Sequence, residues 1–191
     1  MGPKMVNEVF PLFSRILHWL MAAMILAMLL IGIAMVAALD DYHRLVAIHK
    51  PLGMLILILV AVRLINRLFH PPPPLPEAMP GWQQFIAHAS HFALYGLMFA
   101  LPLVGWGMLS AARYPIVLWG PLQLPPILPH SVALYTALRD AHTVLAYLLF
   151  LTFLAHFAAA MMHALIYRDG VFQSMASWRR RATRPADPPS G

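Results

Sequence analysis

The chain has no cysteine and few charged residues, and both shortages narrow what it can be. Without thiols it has no disulfides, no thiolate-held iron–sulfur cluster and no C-x-x-C-H attachment of haem. Only 10% of its 191 residues are charged and 61% are hydrophobic, whereas soluble domains carry about 25% charged residues. This composition predicts an integral membrane protein with little mass outside the bilayer.

Acidic residues are the scarcer charge, with seven Asp and Glu against thirteen Lys and Arg. The resulting net charge of +6 is attributed to basic residues at the ends of membrane helices. No soluble basic face is left to bind nucleic acid. We therefore expect membrane lipid, and no nucleic acid, among the partners.

Four apolar segments each reach the roughly 20 residues that a membrane-spanning helix needs. Each must satisfy its own backbone hydrogen bonds in lipid, so all four should be helices. The first is too long for the h-region of a signal peptide, about 7–15 residues. The sequence predicts an all-α membrane protein, a four-helix bundle in residues 1–170, followed by a basic cytoplasmic tail in 171–191. The predicted spans are Leu12 to Leu39, Leu45 to Phe69, Phe85 to Leu109, and Val132 to Tyr167.

Two connections between the spans have distinctive compositions. The segment HPPPPLPEAMPGW, residues 70–82, is rich in proline and predicts a short, stiff turn. Residues 110–131 are apolar and are expected to lie flat at the membrane interface, with Tyr114 and Trp119 in the aromatic belt.

Basic residues predict how the chain is oriented in the membrane. Nine fall on the side of the termini and four on the other side, which places both termini in the cytoplasm of a bacterial inner membrane. The first group is Lys4, Arg15, Arg63, Arg67, Arg168, Arg179, Arg180, Arg181 and Arg184; the second is Arg44, Lys50, Arg113 and Arg139.

Histidines stand inside the apolar spans, where ionisable groups are costly and usually functional. In the fourth span His142 and His156 are 14 residues apart, which places them within about 40° of one helix face and roughly 21 Å apart. At matching depths, His49 lies in the first turns of the second span and His18 lies in the first turns of the first span. This predicts a periplasmic pair, His49 with His142, and a cytoplasmic pair, His18 with His156.

Facing neutral imidazoles suit the two axial positions of a haem iron held in a helical bundle. Zinc or another transition metal is the main rival ligand, but it would need further Cys, His or carboxylate ligands. The spans carry Asp and Glu only at their ends. His88 or His91 could replace one of the four ligands. A transporter or channel whose histidines relay protons is an alternative without redox chemistry.

His91 and His163 lie on the cytoplasmic halves of the third and fourth spans. Their imidazoles could hydrogen-bond a quinone carbonyl and supply a proton on its reduction. The alternative is that they bind haem propionates or interfacial water.

Four motifs, in order, resemble the bacterial cytochrome b561 family: RILHWL, AIHKPLG, AHASHFALYGLMFALPLVGW and DAHTVLAYLLFLTFLAH. The resemblance covers about Phe13 to Tyr167 and is more distant to the haem b subunits of nickel–iron hydrogenases and formate dehydrogenases. It implies a four-helix inner-membrane protein with two haem b groups. By this analogy His18 and His156 hold the cytoplasmic haem, and His49 and His142 hold the periplasmic haem.

The branch of short, free-standing chains resembles superoxide oxidase, which passes electrons from periplasmic superoxide to ubiquinone. That branch implies that His91 and His163 border the quinone. Arg113 is the periplasmic cation selected for steering a small anion towards the haem edge. The alternatives are another periplasmic donor, or a role as the haem b anchor subunit of a hydrogenase or dehydrogenase complex.

Overall fold

The computed structural model describes residues 9–76 and 79–177. Four long helices dominate it, and each is long and apolar enough to cross a membrane. They are α1 (Leu12–Ala37), α2 (Tyr42–Phe69), α3 (Gly81–Ala111) and α4 (Val132–Met162). The predicted fold class is thereby confirmed. The arginines predicted for the basic tail lie at 179 and beyond, outside the described residues.

The helix starts follow from the residues that precede them. Pro11 and Pro80 stand immediately before α1 and α3, where the fixed φ of proline suits entry into a helix. Ser131 caps α4, because its Oγ accepts a hydrogen bond from the Leu134 amide at 3.2 Å. A 3-10 turn, Leu39–Asp41, connects α1 directly to α2. As a result α2 begins at Tyr42 rather than at the predicted Leu45.

The helices run alternately in opposite directions, so the bundle has two distinct ends. The termini end carries the start of α1, the end of α2, the start of α3 and the end of α4. The hairpin end carries the other helix termini and a two-stranded antiparallel hairpin, β1 (Ile116–Trp119) with β2 (Leu122–Leu124).

A small buried core occupies the middle of the bundle. Leu149 contributes to it from α4, seven residues from both His142 and His156. The outward side chains are largely exposed apolar groups such as Leu30, Ile58 and Leu151, as a lipid-facing surface requires. The core therefore separates the two histidine depths. Its buried members are Met21, Ile25, Ile56, Val60, Met98, Leu101 and Leu149.

The hairpin was not predicted from the sequence. Side chains of α3 fasten the segment that contains it: Trp106 Nε1 donates to the Pro125 carbonyl at 2.9 Å, and Ser110 Oγ accepts from the Ile127 amide at 3.2 Å. Trp119 is 87% exposed at its tip, and its amphipathic ring suits the membrane interface.

The chain folds back after α4. One turn of π-helix, His163–Tyr167, leads into the short helix α5, Val171–Ala176. The Phe10 amide donates to the Ser174 carbonyl at 3.0 Å, and Trp19 Nε1 donates to the Met175 carbonyl at 3.2 Å. Helix α5 is thereby attached to the start of α1 at the termini end.

Candidate cofactor sites

His49 and His142 face each other at the hairpin end. Their ring centroids are 6.2 Å apart and the ring planes are inclined by 62°. Both Nδ1 atoms are buried and have no hydrogen-bond partner among the described residues. Leaving a buried polar atom unpaired costs about 1–3 kcal/mol. Imidazole nitrogen that the protein leaves unpaired inside the bundle is available to a bound group.

The separation of the rings fits a metal ion between them. Each metal–imidazole bond is about 2 Å long, and the two ring radii bring the expected centroid distance to about 6 Å. A haem iron takes two such axial ligands on opposite sides. The hairpin-end pair therefore has the chemistry and the spacing of a bis-histidine haem site.

Gly105 of α3 makes room for the His142 ring. A Cβ at this position would lie 3.3 Å from His142 Cε1 and 3.6 Å from its Nδ1. Any larger residue would press on the imidazole. The glycine therefore belongs to the packing that fixes the orientation of His142.

Three histidines meet at the termini end. The His18 and His156 ring centroids are 6.4 Å apart, whereas those of His91 and His156 are 5.3 Å apart. Only the first distance matches two imidazoles on opposite sides of one metal ion, about 6 Å. The geometry thus favours His18 as the partner of His156 and leaves His91 beside the pair.

Arg63 brings positive charge to this histidine cluster. Its Nη2 is 2.9 Å from His18 Nδ1, and its Nε donates to the Tyr95 hydroxyl at 3.0 Å. Arginine only donates, so His18 Nδ1 accepts in this arrangement and the ring proton is on Nε2. If His18 held a haem iron through Nε2, its Nδ1 would carry the ring proton and could no longer accept from Arg63. The released guanidinium, with Arg67 on the same Tyr95 ring, suits a carboxylate.

His163 and His88 occupy different surroundings. His163 Nδ1 is 2.7 Å from Asp169 Oδ2, and no hydrogen bond or ring contact joins it to His91 in the part of the chain that the structure describes. His88 is exposed, and its Nδ1 is 2.6 Å from the carbonyl of Gln84, one turn back on the same helix.

Arg113 lines a cavity at the hairpin end. The cavity holds about 420 Å³ and is also lined by Ser110 and His130. Arg113 has a left-handed backbone, with φ 58°, which is uncommon for a residue with a side chain. Lys50, next to His49 in sequence, donates from Nζ to the Pro115 carbonyl at 3.4 Å. Two cations therefore lie at the hairpin end, Arg113 on the cavity and Lys50 next to His49 in sequence.

The described residues contain no group of three or more His, Cys, Asp or Glu side chains arranged to hold a metal ion. A structural zinc site normally needs four such ligands. The two histidine pairs, with ring centroids 6.2 and 6.4 Å apart, have the spacing of imidazoles that hold one haem iron between them.

Facing histidine pairs within a bundle of membrane helices are typical of one class of protein. In this class, a helical bundle binds haem between imidazole side chains. A model of the family described as prokaryotic cytochrome b561 matches residues 9–178. The chain belongs to this family, as the sequence motifs predicted. Membership implies b-type haem and a role in electron transfer.

Curated relatives agree with the assignment. Cytochrome b561 homolog 2 of Escherichia coli (strain K12) is 30% identical over 172 residues, which cover 88% of this chain and 91% of that protein. Probable superoxide oxidase CybB of Yersinia pestis is 27% identical over 133 residues, or 70% of this chain and 75% of that protein. Cytochrome b561 homolog 1 of E. coli (strain K12) is 26% identical over 132 residues, 69% of this chain and 74% of that protein.

Proposed function

We propose that this chain is a cytochrome with two haem b groups that carries electrons from superoxide to ubiquinone across a bacterial inner membrane. The observation that carries the proposal is the presence of two histidine pairs, with ring centroids 6.2 and 6.4 Å apart, on either side of the packed core. The name of the Yersinia pestis relative, a probable superoxide oxidase, supports the choice of donor.

Both sites have histidines for the haem iron, and the termini-end site also has arginines for the haem carboxylates. His49 with His142, and His18 with His156, would bind iron; Arg63 and Arg67 would bind carboxylates at the termini end. Iron held between two histidines would supply a one-electron change of oxidation state. His142 and His156 are 14 residues apart on α4, roughly 21 Å along the axis, so the two sites together bridge most of the membrane core.

The donor side is assigned to the hairpin end, and the four-against-nine distribution of basic residues supports a periplasmic location for this end. Arg113 and Lys50 attract a small anion towards the His49–His142 site. In the overall reaction two superoxide anions each lose one electron and become O₂. One ubiquinone gains those two electrons and two protons and becomes ubiquinol.

The acceptor side is assigned to the termini end. His91 lies beside the His18–His156 pair, and His163 follows His156 by seven residues, at the start of the π-helical turn after α4. We assign these two imidazoles to the ubiquinone site, where they would hydrogen-bond the carbonyl oxygens and supply protons.

The proposal is tested with detergent-purified protein exposed to superoxide from xanthine and xanthine oxidase. We expect superoxide to reduce the bound haem and, with ubiquinone-1 present, ubiquinol to form catalytically. Superoxide dismutase should abolish both signals. Haem that stays oxidised under this flux, yet is reduced by dithionite, would contradict superoxide as the donor. It would favour the alternative that the chain is a haem b anchor that receives electrons from a partner subunit.

Arg113→Gln is expected to slow haem reduction by superoxide about threefold to tenfold, because one cation that lines the cavity is lost. The rate in the parent protein should fall with ionic strength, and this dependence should weaken in the variant. Stopped-flow absorbance measures both. Arg44→Gln is the matched control, since Arg44 is also exposed at the hairpin end but does not line the cavity. Equal losses in the two variants would contradict a specific role for Arg113.

Gly105→Val is expected to weaken haem binding at the hairpin end about tenfold or more, because overpacking displaces the His142 ring. Haem content per chain should fall towards one, and transfer of the remaining hairpin-end haem to apomyoglobin should be faster. Gly96→Val on the same helix is the control, since a Cβ there meets no atom within 4 Å. Full haem retention in Gly105→Val would show that Gly105 does not set the position of the ring.

A further inference from the structure

The turn that follows α4 is built from unusual backbone conformations. The π-helix of His163–Tyr167 is followed by Arg168 with φ 50° and by Gly170 with φ 89°. Insertions of π-helix and left-handed non-glycine residues cost free energy and concentrate at functional sites. Their effect here is to return the chain across the end of α4, which brings Asp169 back to His163.

Both oxygens of the Asp169 carboxylate are used. Oδ2 accepts from His163 Nδ1 at 2.7 Å, and Oδ1 accepts from the Val171 amide at 3.1 Å. The two side chains are each 16% exposed. The carboxylate is therefore fixed by the first turn of α5 and in turn fixes the imidazole.

Nothing else in the described part of the chain forms an ion pair with this carboxylate. The nearest cation in sequence, Arg168, donates from its Nε to the Leu165 carbonyl at 3.1 Å. Tyr167 stacks at a tilt on the His163 ring, with centroids 5.2 Å apart, and its hydroxyl accepts from Gln83 of α3. Helix α5 (VFQSMA) has no charged residue. Among the described residues, His163 is thus the one side chain that forms a hydrogen bond or ion pair with Asp169.

A carboxylate that accepts a hydrogen bond from one imidazole nitrogen determines whether the other nitrogen can accept or donate a proton. It fixes the ring orientation and tautomer, and it stabilises the ring when the second nitrogen is also protonated. With Nδ1–H bound to Asp169, His163 Nε2 is the nitrogen left to exchange a proton with another group.

We propose that Asp169 is the positioning residue for proton delivery to ubiquinone at the termini end, acting through His163. This inference rests on the proposed function, which supplies the electrons from superoxide. In each delivery the N–H bond at His163 Nε2 breaks and an O–H bond forms on the quinone oxygen. His163 then regains a proton from water at this end of the bundle, while Asp169 keeps its hydrogen bond to Nδ1 throughout.

Two half-reactions measured separately test the proposal on the haem-loaded, full-length protein. The first is reduction of haem by superoxide, and the second is reoxidation of the reduced protein by ubiquinone-1. In Asp169→Asn the first rate should equal that of the parent protein. The second should fall about tenfold or more in kcat, with little change in the KM for ubiquinone-1. Asp169→Glu should restore part of the rate, because it returns a carboxylate.

Tyr167→Phe is the matched control, because it removes the hydrogen bond from Gln83 within the same turn and keeps the aromatic ring on His163. It should reoxidise at the parent rate. Equal reoxidation by Asp169→Asn and the parent, or an equal loss in Tyr167→Phe, would overturn the role of Asp169. A parent protein that does not reduce ubiquinone-1 at all would instead refute the proposed function on which this inference rests.

Discussion

His142→Ala is expected to leave one haem per chain instead of two. The alanine removes one of two facing imidazoles, and His49 alone offers the iron a single axial ligand at the hairpin end. The other described histidines at the hairpin end make contacts elsewhere, because His130 has its Nδ1 2.9 Å from the Ala111 carbonyl and the exposed His43 ring packs against Tyr42. The termini-end pair is half-buried on the other side of the packed core, so its haem should be retained.

The change is measured by a pyridine haemochrome count per chain, together with a redox titration that should lose one of two components. His88→Ala is the control. His88 is an exposed histidine of α3, and among the described residues it hydrogen-bonds only the Gln84 carbonyl of its own helix. It should keep both haems. Two haems in His142→Ala would refute the proposed pairing of His49 with His142.

His18→Ala and His91→Ala are expected to differ sharply, although both residues neighbour His156. The His18–His156 separation of 6.4 Å accommodates an iron atom, whereas the His91–His156 separation of 5.3 Å is short for one. His18→Ala should therefore lose one haem. His91→Ala should keep two and lose ubiquinone reduction by about tenfold or more, since a proton donor is removed.

The same pair of variants decides which histidine of the cluster binds iron. Haem content is measured first, and reoxidation by ubiquinone-1 is then compared at equal haem concentration. If His91→Ala lost a haem and His18→Ala kept both, His91 would be the partner of His156. That outcome would also contradict the assignment of His91 to the ubiquinone site.

Hydropathy and helix geometry were sufficient to predict the four helices and the two histidine depths. The membrane excludes most other secondary structures for these segments, because a lipid-exposed segment must form all its backbone hydrogen bonds internally. On α4, a spacing of 14 residues returns to nearly the same helix face. His49 and His142, on different helices, could therefore be paired by depth alone.

Contacts between distant segments could not be predicted in the same way. The hairpin has strands of four and three residues with an irregular register, too short for a clear alternating pattern in a proline-rich stretch. The contact between Arg63 and His18 depends on how α1 and α2 rotate against each other. The pairing of Asp169 with His163 depends on a π-helical turn and a left-handed residue, for which the sequence HALIYRDG provides only the glycine as a local signal.

In the histidine cluster at the termini end, depth in the membrane is not sufficient to identify the partner of His156. Depth alone allowed His18, His88 and His91 as partners of His156. The structure separates them, because His88 is exposed while His18 and His91 both reach the His156 ring. Only a distance between rings, which the sequence does not contain, distinguishes the last two.

The most direct test of the account is a haem count on the purified full-length chain, by pyridine haemochrome and a dithionite-reduced minus oxidised spectrum. Two b-type haems per chain are predicted, one for each histidine pair. A protein purified without haem, from cells well supplied with it, would contradict the electron-transfer account. The histidines would then be better explained as a proton path through the bundle.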